Sequence, residues 1–205
     1  MEVRMKYRIF LSLIILAAIG INCASTVPAN CSLEKFVPVF HAGSNKSISL
    51  KIIDNWSGKE YAPSGSDDAS SRQSSYAKVI RRANANWQAD LYGEVSKKLA
   101  EMGYTVSDSS KETLTIELKD FRAEIQHHFI TQVGGGIAVF NASYGPLNGT
   151  ATFEQIYRGH GSRSYRSTTT SWQVVVQAFN DAIENALITI LSDKRLNYSM
   201  SQIAP

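Results

Sequence analysis

Two stretches of the chain repeat their hydrophobic residues every three or four positions, which is the spacing of one face of an α-helix. In residues 86–102 the repeated positions are Trp87, Leu91, Val95, Leu99 and Met102. In residues 171–192 they are Trp172, Val176, Phe179, Ile183, Leu187 and Ile190. Gly103 is placed to end the first stretch in a left-handed conformation. The pattern therefore predicts two amphipathic helices.

Other stretches alternate hydrophobic and polar residues, which is typical of strands with one buried face. Residues 47–54 alternate in this way, and a short strand is expected over 104–106. A longer strand is expected over 113–130, but its hydrophobic positions change from even numbers, ending at Leu118, to odd numbers, beginning at Phe121. Because a slip of one residue turns every side chain to the other face, we expect a β-bulge at Lys119–Asp120.

A β-hairpin is predicted after the glycine run at 134–136, with strands over 137–144 and 150–158. The glycine run lacks the Lys-Ser/Thr ending of a phosphate loop, and no helix follows it directly. We therefore interpret the run as a bulge or flexible turn. Polar residues 159–170 are expected to form a loop before the second helix.

The order of these elements predicts an α+β fold. Two amphipathic helices need one face of a sheet on which to bury their hydrophobic sides, so we expect a two-layer sandwich. Its sheet is expected to be mainly antiparallel, with both helices packed on one face. We assign residues 47–195 to this domain and 196–205 to a C-terminal tail.

The first residues have the composition of an export signal. Residues 1–8 are basic, and residues 9–21 run for thirteen positions without a charge. This length fits a secretory signal better than a membrane-spanning helix, and a short membrane anchor that stays uncleaved is the alternative. Cys23 closes the run, as in the signals of bacterial lipoproteins. We therefore interpret 1–22 as a lipoprotein-type signal peptide, Cys23 as the lipidated residue, and 23–46 as a tether.

The two cysteines leave other interpretations open. Cleavage after Ala29 would give a secreted protein in which Cys31 lies near the new terminus. Alternatively, Cys23 and Cys31 form a disulfide, which an oxidising compartment allows. Lipidation would instead attach the protein to a membrane, and Ala24 after the cysteine favours the outer membrane, with the domain facing the periplasm.

The basic charge of the chain belongs mainly to the export signal. The full sequence has a net charge of +3 and a pI near 8.8. Arg4, Lys6, Arg8 and Glu2 contribute +2 of this total, which leaves +1 for the remaining chain. So small a charge does not suit a surface that neutralises phosphates, and we expect no nucleic-acid partner.

No set of residues has the spacing of a catalytic or metal site. His127 and His128 are neighbours on a predicted strand, so they point to opposite faces and cannot bind one metal together. His160 is expected in a polar loop, and no Gly-x-Ser-x-Gly motif is present. We therefore predict a protein that is not an enzyme and has no metal or cofactor. A secreted hydrolase that uses His127, His128 or His160 remains the alternative.

A long polar segment, residues 55–75, is the candidate surface for an envelope protein partner. Loops of this length are either mobile or functional. Its candidate interaction residues are Trp56, Lys59, Tyr61 and Arg72.

The chain also contains six Asn-x-Ser/Thr sequons, each of which would be a glycan acceptor in a eukaryotic secreted protein. They begin at Asn30, Asn45, Asn55, Asn141, Asn148 and Asn197. A secreted glycoprotein therefore stays open as a third hypothesis.

Taken together, the order of elements and several local segments resemble the YajG family of bacterial lipoproteins. The resemblance lies in the start of the chain up to Cys23, Ile48–Asp54, Ala77–Val79, Leu99–Val106, Leu114–Ala123, Tyr157-Arg158, and the closing helix with Asn180, Ala182, Ile183 and Leu191. It implies an outer-membrane lipoprotein that faces the periplasm and has no established catalytic residues. The only site that it implies is the lipidated Cys23.

Overall fold

One five-stranded sheet organises the protein in the computed structural model, which describes residues 32–38, 46–56, 87–127, 132–165 and 172–202. The strands are β1 (Lys46–Asp54), β2 (Tyr104–Val106), β3 (Glu112–His127), β4 (Gln132–Pro146) and β5 (Phe153–Tyr165). Their order across the sheet is β2-β1-β3-β4-β5. β1 is parallel to both of its neighbours, and β3, β4 and β5 form an antiparallel meander.

Three helices pack against the sheet: α1 (Trp87–Glu101), α2 (Trp172–Ser192) and α3 (Lys194–Ser201). α1 packs on β1 and β2, and α2 packs on β4 and β5. Leu91, Val95 and Leu99 of α1 are buried in one core with Ile48, Leu114 and Phe140 of the sheet. The same core contains the α2 residues Val176, Phe179, Ile183, Leu187 and Ile190. The α+β fold, with helices packed on a sheet, is confirmed. Gly103 ends α1 with a φ of 90°, as its position predicts.

The bulge that the sequence predicts in the long strand is present. Leu118 pairs with Phe140, but Asp120 pairs with the next residue of β4, Val139, so Lys119 is the extra residue. Leu118 and Phe121 are consequently both buried in the core. One inserted residue therefore keeps a single hydrophobic face along a strand of sixteen residues.

The interpretation of the glycine run as a bulge or turn is wrong. Gly134 and Gly136 lie in the regular register of β4, at positions that alternate toward α2. A Cβ atom would lie 2.8 Å from the carbonyl oxygen of Val174 at Gly134, and 2.7 Å from that of Ala178 at Gly136. The glycines are therefore needed because the backbone of a helix passes directly over them, which a single sequence does not show.

The second hairpin strand is also longer than predicted. β5 continues through 159–165, a segment expected to be a polar loop. Gly159, Gly161 and Arg163 face α2, where Arg163 pairs with Asp181, and the alternating residues 160, 162 and 164 are exposed. His160 consequently lies on a strand and not in a loop, which corrects the position that the sequence suggested.

Two segments outside the predicted sandwich are packed into it. Residues 32–38 fall within the stretch expected to be a tether, yet Leu33 and Phe36 are buried, and the backbone N–H of Leu33 donates to Glu94 at 3.3 Å. At the other end, α3 buries Leu196 and Met200. Asp193 caps this helix by accepting from the N–H groups of residues 195 and 196.

Among the described helices, one is long and apolar enough to cross a membrane by length and composition, namely residues 174–192 of α2. This stretch is 61% buried inside the domain, where Ala178, Ala182 and Ala186 touch the glycines of β5. Such an apolar helix is also what the core of a folded domain requires.

Candidate functional site

Trp56 is the one candidate interaction residue within the described part of the chain. It follows β1 directly, and its backbone N–H donates to Asp54 Oδ1 at 3.1 Å. The indole is half-buried and meets the ring of Phe121 edge-on at 6.0 Å between centroids. Phe121 in turn contacts Phe179 of α2, and the centroids of these two rings are 4.3 Å apart. Trp56 therefore anchors the start of the polar segment to the hydrophobic core.

The other predicted site residues fall outside the described residues. These are Cys23, Lys59, Tyr61 and Arg72.

The histidines named for the hydrolase alternative do not converge where the structure describes them. His160 is exposed on β5 and pairs with Ile137, whereas the backbone of His127 ends β3 and pairs with Gln132. The two positions are two strands apart and five residues apart along β4, so their backbones are separated by about 19 Å. His41 and His128 lie outside the described residues. Within the described segments, no three His, Cys, Asp or Glu side chains are grouped to hold a metal ion.

Two buried tyrosines of the sheet bond to carboxylates of neighbouring elements. Tyr144 Oη donates to Glu112, which also pairs with Lys46 Nζ at 2.9 Å. Tyr157 Oη donates to Asp193 Oδ2 at 2.7 Å. The pKa of both tyrosines is raised above its ordinary value, mainly by burial and secondly by the carboxylate that accepts the hydrogen bond. They are therefore neutral donors that tie strands to neighbouring elements, and neither is poised to exchange a proton near neutral pH.

A polar network occupies the face of the sheet that points away from the helices. Glu117 accepts from Asn55 and pairs with Lys119 at 2.6 Å, while Asn141 Nδ2 donates to Glu154 Oε1 at 2.7 Å. Burial raises the pKa of the Glu117 carboxyl, but the hydrogen bonds from Lys119 and Asn55 outweigh burial and lower the pKa below its ordinary value. Glu117 is thus held ionised and paired, as a structural group.

The outer edge of this face carries a hydrophobic residue that the sequence analysis did not select. Ile156 lies on β5 with 58% of its surface exposed, between the exposed Glu154 and Arg158. A signal was present in the sequence, because Phe153 and Tyr157 occupy the inward phase of the strand and place Ile156 among the outward residues. An exposed hydrophobic residue on an edge strand can be recognised as such only when the order of the strands in the sheet is known.

An open depression of about 520 Å³ lies at the opposite end of β1 from Trp56. Two turns line it, residues 108–111 and 146–149, and the N–H of Leu147 joins them by donating to Lys111 O at 2.8 Å. Its charged side chains are Asp108 and Lys111. The described residues that line it include no histidine, cysteine or tyrosine. Its hydroxyls belong to Ser109 and Ser110, and Ser110 Oγ donates to the carbonyl of Ser47 at 2.8 Å.

Two of the six sequons are closed to glycosylation in the folded domain. Asn197 is 2% exposed, and its Nδ2 donates to the carbonyl of Leu191 at 2.9 Å. Asn141 is 8% exposed within the polar network. Asn55 and Asn148 are exposed. Asn30 and Asn45 lie outside the described residues. The sequon count therefore loses much of its weight as evidence for a glycoprotein.

Comparison with known proteins finds solved structures that are similar to this chain, but no match to a family model or to a curated sequence. The resemblance to the YajG family therefore stays a prediction. A Xanthomonas campestris protein of the family DUF330 is 12% identical over 80% of this chain and 88% of its own, with a TM-score of 0.39.

Two further solved structures are similar to the chain. A putative neuraminyllactose-binding hemagglutinin homolog from Helicobacter pylori is 13% identical over 88% of this chain and 92% of its own, with a TM-score of 0.39. A minor lipoprotein from Acinetobacter baumannii is 13% identical over 76% and 90% of the two chains, with a TM-score of 0.29. At these TM-scores, the likenesses assign neither a family nor an activity.

Proposed function

We propose that the protein is a membrane-anchored lipoprotein of the bacterial cell envelope. In this proposal Cys23 carries the lipid, and the α+β domain binds or assembles with another envelope component without catalysing a reaction. The acyl chains would supply the membrane affinity, so the domain itself needs no apolar anchor. Ala24 and the resemblance to the YajG family favour the outer membrane, with the domain in the periplasm.

One observation supports the proposal: the packed domain begins very soon after Cys23, the cysteine that follows the predicted export signal. Leu33 and Phe36 are buried, and only residues 24–31 separate Cys23 from the first described residue. Eight residues span at most about 30 Å when fully extended. A lipid on Cys23 would therefore hold the domain close to the membrane surface, where it can meet other envelope proteins.

The non-catalytic part of the proposal has separate support in the described residues. Tyr144 and Tyr157 are neutral and structural, His160 is distant from the position of His127, and Glu117 is engaged in the network on the sheet. What these residues offer to a partner is a set of surfaces and not a reactive centre.

Metabolic labelling with a fatty-acid analogue tests the anchor. We expect the wild-type chain and the matched control Cys31→Ser to incorporate the label in a bacterial host, and Cys23→Ser to lose it. Unchanged labelling of Cys23→Ser would contradict the proposal. The intact mass of the mature protein separates the alternatives, because cleavage after Ala29 would leave Asn30 as an unmodified N-terminus.

The polar segment after β1 remains the proposed partner surface. Since Trp56 packs on Phe121, its replacement would disturb the core as well as any interface. A triple variant with Lys59, Tyr61 and Arg72 replaced by Ala is therefore the sharper test. We expect it to lose cross-links to envelope proteins while keeping wild-type thermal stability, and unchanged cross-linking would contradict this assignment.

A further inference from the structure

The outer edge of β5 offers backbone hydrogen-bonding groups at every second residue. In an antiparallel sheet, the backbone groups of successive residues point alternately to the two neighbouring strands. The N–H of Leu147 donates to Lys111 O, just before β3, so the odd-numbered residues of β4 bond to β3. Its even-numbered residues therefore bond to β5. The register of β4 with β5 then turns the even-numbered residues of β5 toward the outer edge. In agreement, Asn185 Nδ2 donates to the outward carbonyl of His160 at 2.7 Å.

The open part of this edge is short and has clear limits. Asn185 of α2 covers it at His160, and the hairpin turn closes it before Phe153. Between these limits, Glu154, Ile156 and Arg158 have exposed side chains. No strand among the described segments pairs with this edge. Among the described residues, the carbonyl of Ile156 accepts only from its neighbouring Gln155 side chain, at 3.2 Å, and a carbonyl oxygen can accept a second bond.

The sequence of the open edge is complementary to itself. When two copies run antiparallel and are centred on Ile156, each Ile156 lies opposite its equivalent, and each Glu154 lies opposite Arg158 of the other copy. Opposite charges at directly facing positions stabilise paired strands, and like charges destabilise them. Glu154 engages Asn141 through Oε1, and Arg158 makes no ion pair with another described residue.

We propose that a second copy of this chain pairs with β5, antiparallel and centred on Ile156, so that two five-stranded sheets join into one of ten strands. The contact covers the exposed Ile156 side chains and forms two Glu154–Arg158 pairs. It also satisfies the outward N–H and C=O groups that make a free edge prone to unwanted pairing. This inference does not depend on lipidation of Cys23, because the edge lies in the folded domain.

Charge exchange tests both the contact and its register. We expect sedimentation of the full mature chain in detergent to give the mass of two copies. Glu154→Arg and Arg158→Glu should each place like charges opposite one another twice, and each should weaken the dimer roughly tenfold or more. A mixture of these two variants should restore it, because the mixed pair has complementary charges at both positions, and the double variant E154R/R158E should restore it alone.

Cross-linking in the envelope provides a second readout that needs no purified dimer. In a Cys31→Ser background, Ile156→Cys should give a cross-linked species of twice the mass under oxidising conditions, whereas the exposed control Thr105→Cys on β2 should not. A single-copy mass at about 100 μM would overturn the proposal. So would a dimer that both single charge variants leave at full strength. Loss of fatty-acid labelling with the dimer retained would overturn only the proposed anchor.

Discussion

The two long helices both bury large side chains on the same sheet, but they approach it differently. α1 meets β1 and β2 through large side chains, among them Leu91, Val95 and Leu99, all of which are almost completely buried. α2 instead lies with its backbone directly over glycines of β4 and β5. A Cβ atom placed on Gly159 would be only 1.8 Å from the carbonyl oxygen of Ala182, and one on Gly161 only 1.9 Å from that of Ala178.

This difference determines how each contact fails. The α1 contact depends on apolar volume, so it is weakened when a side chain is shortened and a cavity is left behind. α2 buries large side chains as well, but its contact with β4 and β5 also requires glycines beneath its backbone. It is therefore weakened when even one methyl group is added there, because neither backbone can move aside without disturbing the sheet. Substitutions in opposite directions should therefore separate the two regions.

The largest effect is expected from truncation on the α1 side. Leu99 is 0% exposed in the centre of the helix stripe, and Leu99→Ala should lower the free energy of unfolding by about 2–5 kcal/mol. Urea denaturation followed by circular dichroism measures this loss. Ala100→Ser, at an exposed position of the same turn, serves as the control and should change stability little. A loss below 1 kcal/mol for Leu99→Ala would show that the α1 contact does not depend on volume.

The next effect is expected from enlargement on the α2 side. Gly159→Ala should lower the free energy of unfolding by about 3 kcal/mol, the upper end of the range for overpacking, because the new methyl group meets the backbone oxygen of Ala182 and the backbone nitrogen of Ala186. The same denaturation experiment measures it. If Gly159→Ala were as stable as the wild type, α2 could not lie as close to β5 as described.

The sequence predicts the α1 region better than the α2 region for the same physical reason. Regularly spaced large residues are a local signal, and the stripe from Trp87 to Met102 predicts α1 within one residue of its observed start and end. The bulge at Lys119 is also local, since the change of hydrophobic phase within one strand reveals it. Gly134 and Gly136 give the opposite result, because only their contact with α2, about forty residues later, explains them.

The candidate functional residues also differ in whether neighbouring residues or the folded structure reveals them. The export signal and Cys23 are predicted from adjacent residues, and they remain predictions because Cys23 lies outside the described residues. Ile156 was not selected, because an isoleucine in a strand is ordinarily buried and only the position of β5 at the sheet edge exposes it. The polar composition of residues 159–170 predicts a loop at His160, whereas Gly159 and Gly161 belong to a strand because α2 passes over them.

A smaller effect is expected where the end of α2 is tied to β5. Tyr157→Phe removes the hydrogen bond to Asp193, the cap of α3, and should lower the free energy of unfolding by about 1.5 kcal/mol at pH 7. Tyr198→Phe, at a tyrosine that is 65% exposed, is the matched control and should leave stability unchanged. Equal stability of the two variants would show that this bond does not stabilise the junction.

The same bond should make part of the stability depend on pH. Burial raises the pKa of the Asp193 carboxyl, but hydrogen bonds from Tyr157 and Arg195 outweigh burial and lower it below the ordinary value of 3.8. A carboxyl with a lowered pKa in the folded state contributes stability above its unfolded pKa and loses it as the pH falls through the folded value. The difference between wild type and Tyr157→Phe should therefore be full at pH 7 and shrink below about pH 4. A difference that stayed constant down to pH 2 would contradict this origin.

The smallest expected effect has the opposite sign and sharpens the contrast between the helices. Gly93 lies in the middle of α1, and no atom lies within 4 Å of a Cβ placed there. Gly93→Ala should raise the free energy of unfolding by about 0.5–1 kcal/mol, because alanine restricts the unfolded chain and favours the helix. Urea denaturation beside Gly159→Ala makes the comparison direct, since the same substitution is then tested on an open helix face and beneath a helix backbone. If both variants were destabilised alike, the loss at Gly159 would reflect glycine replacement in general, and the close approach of α2 would not be its cause.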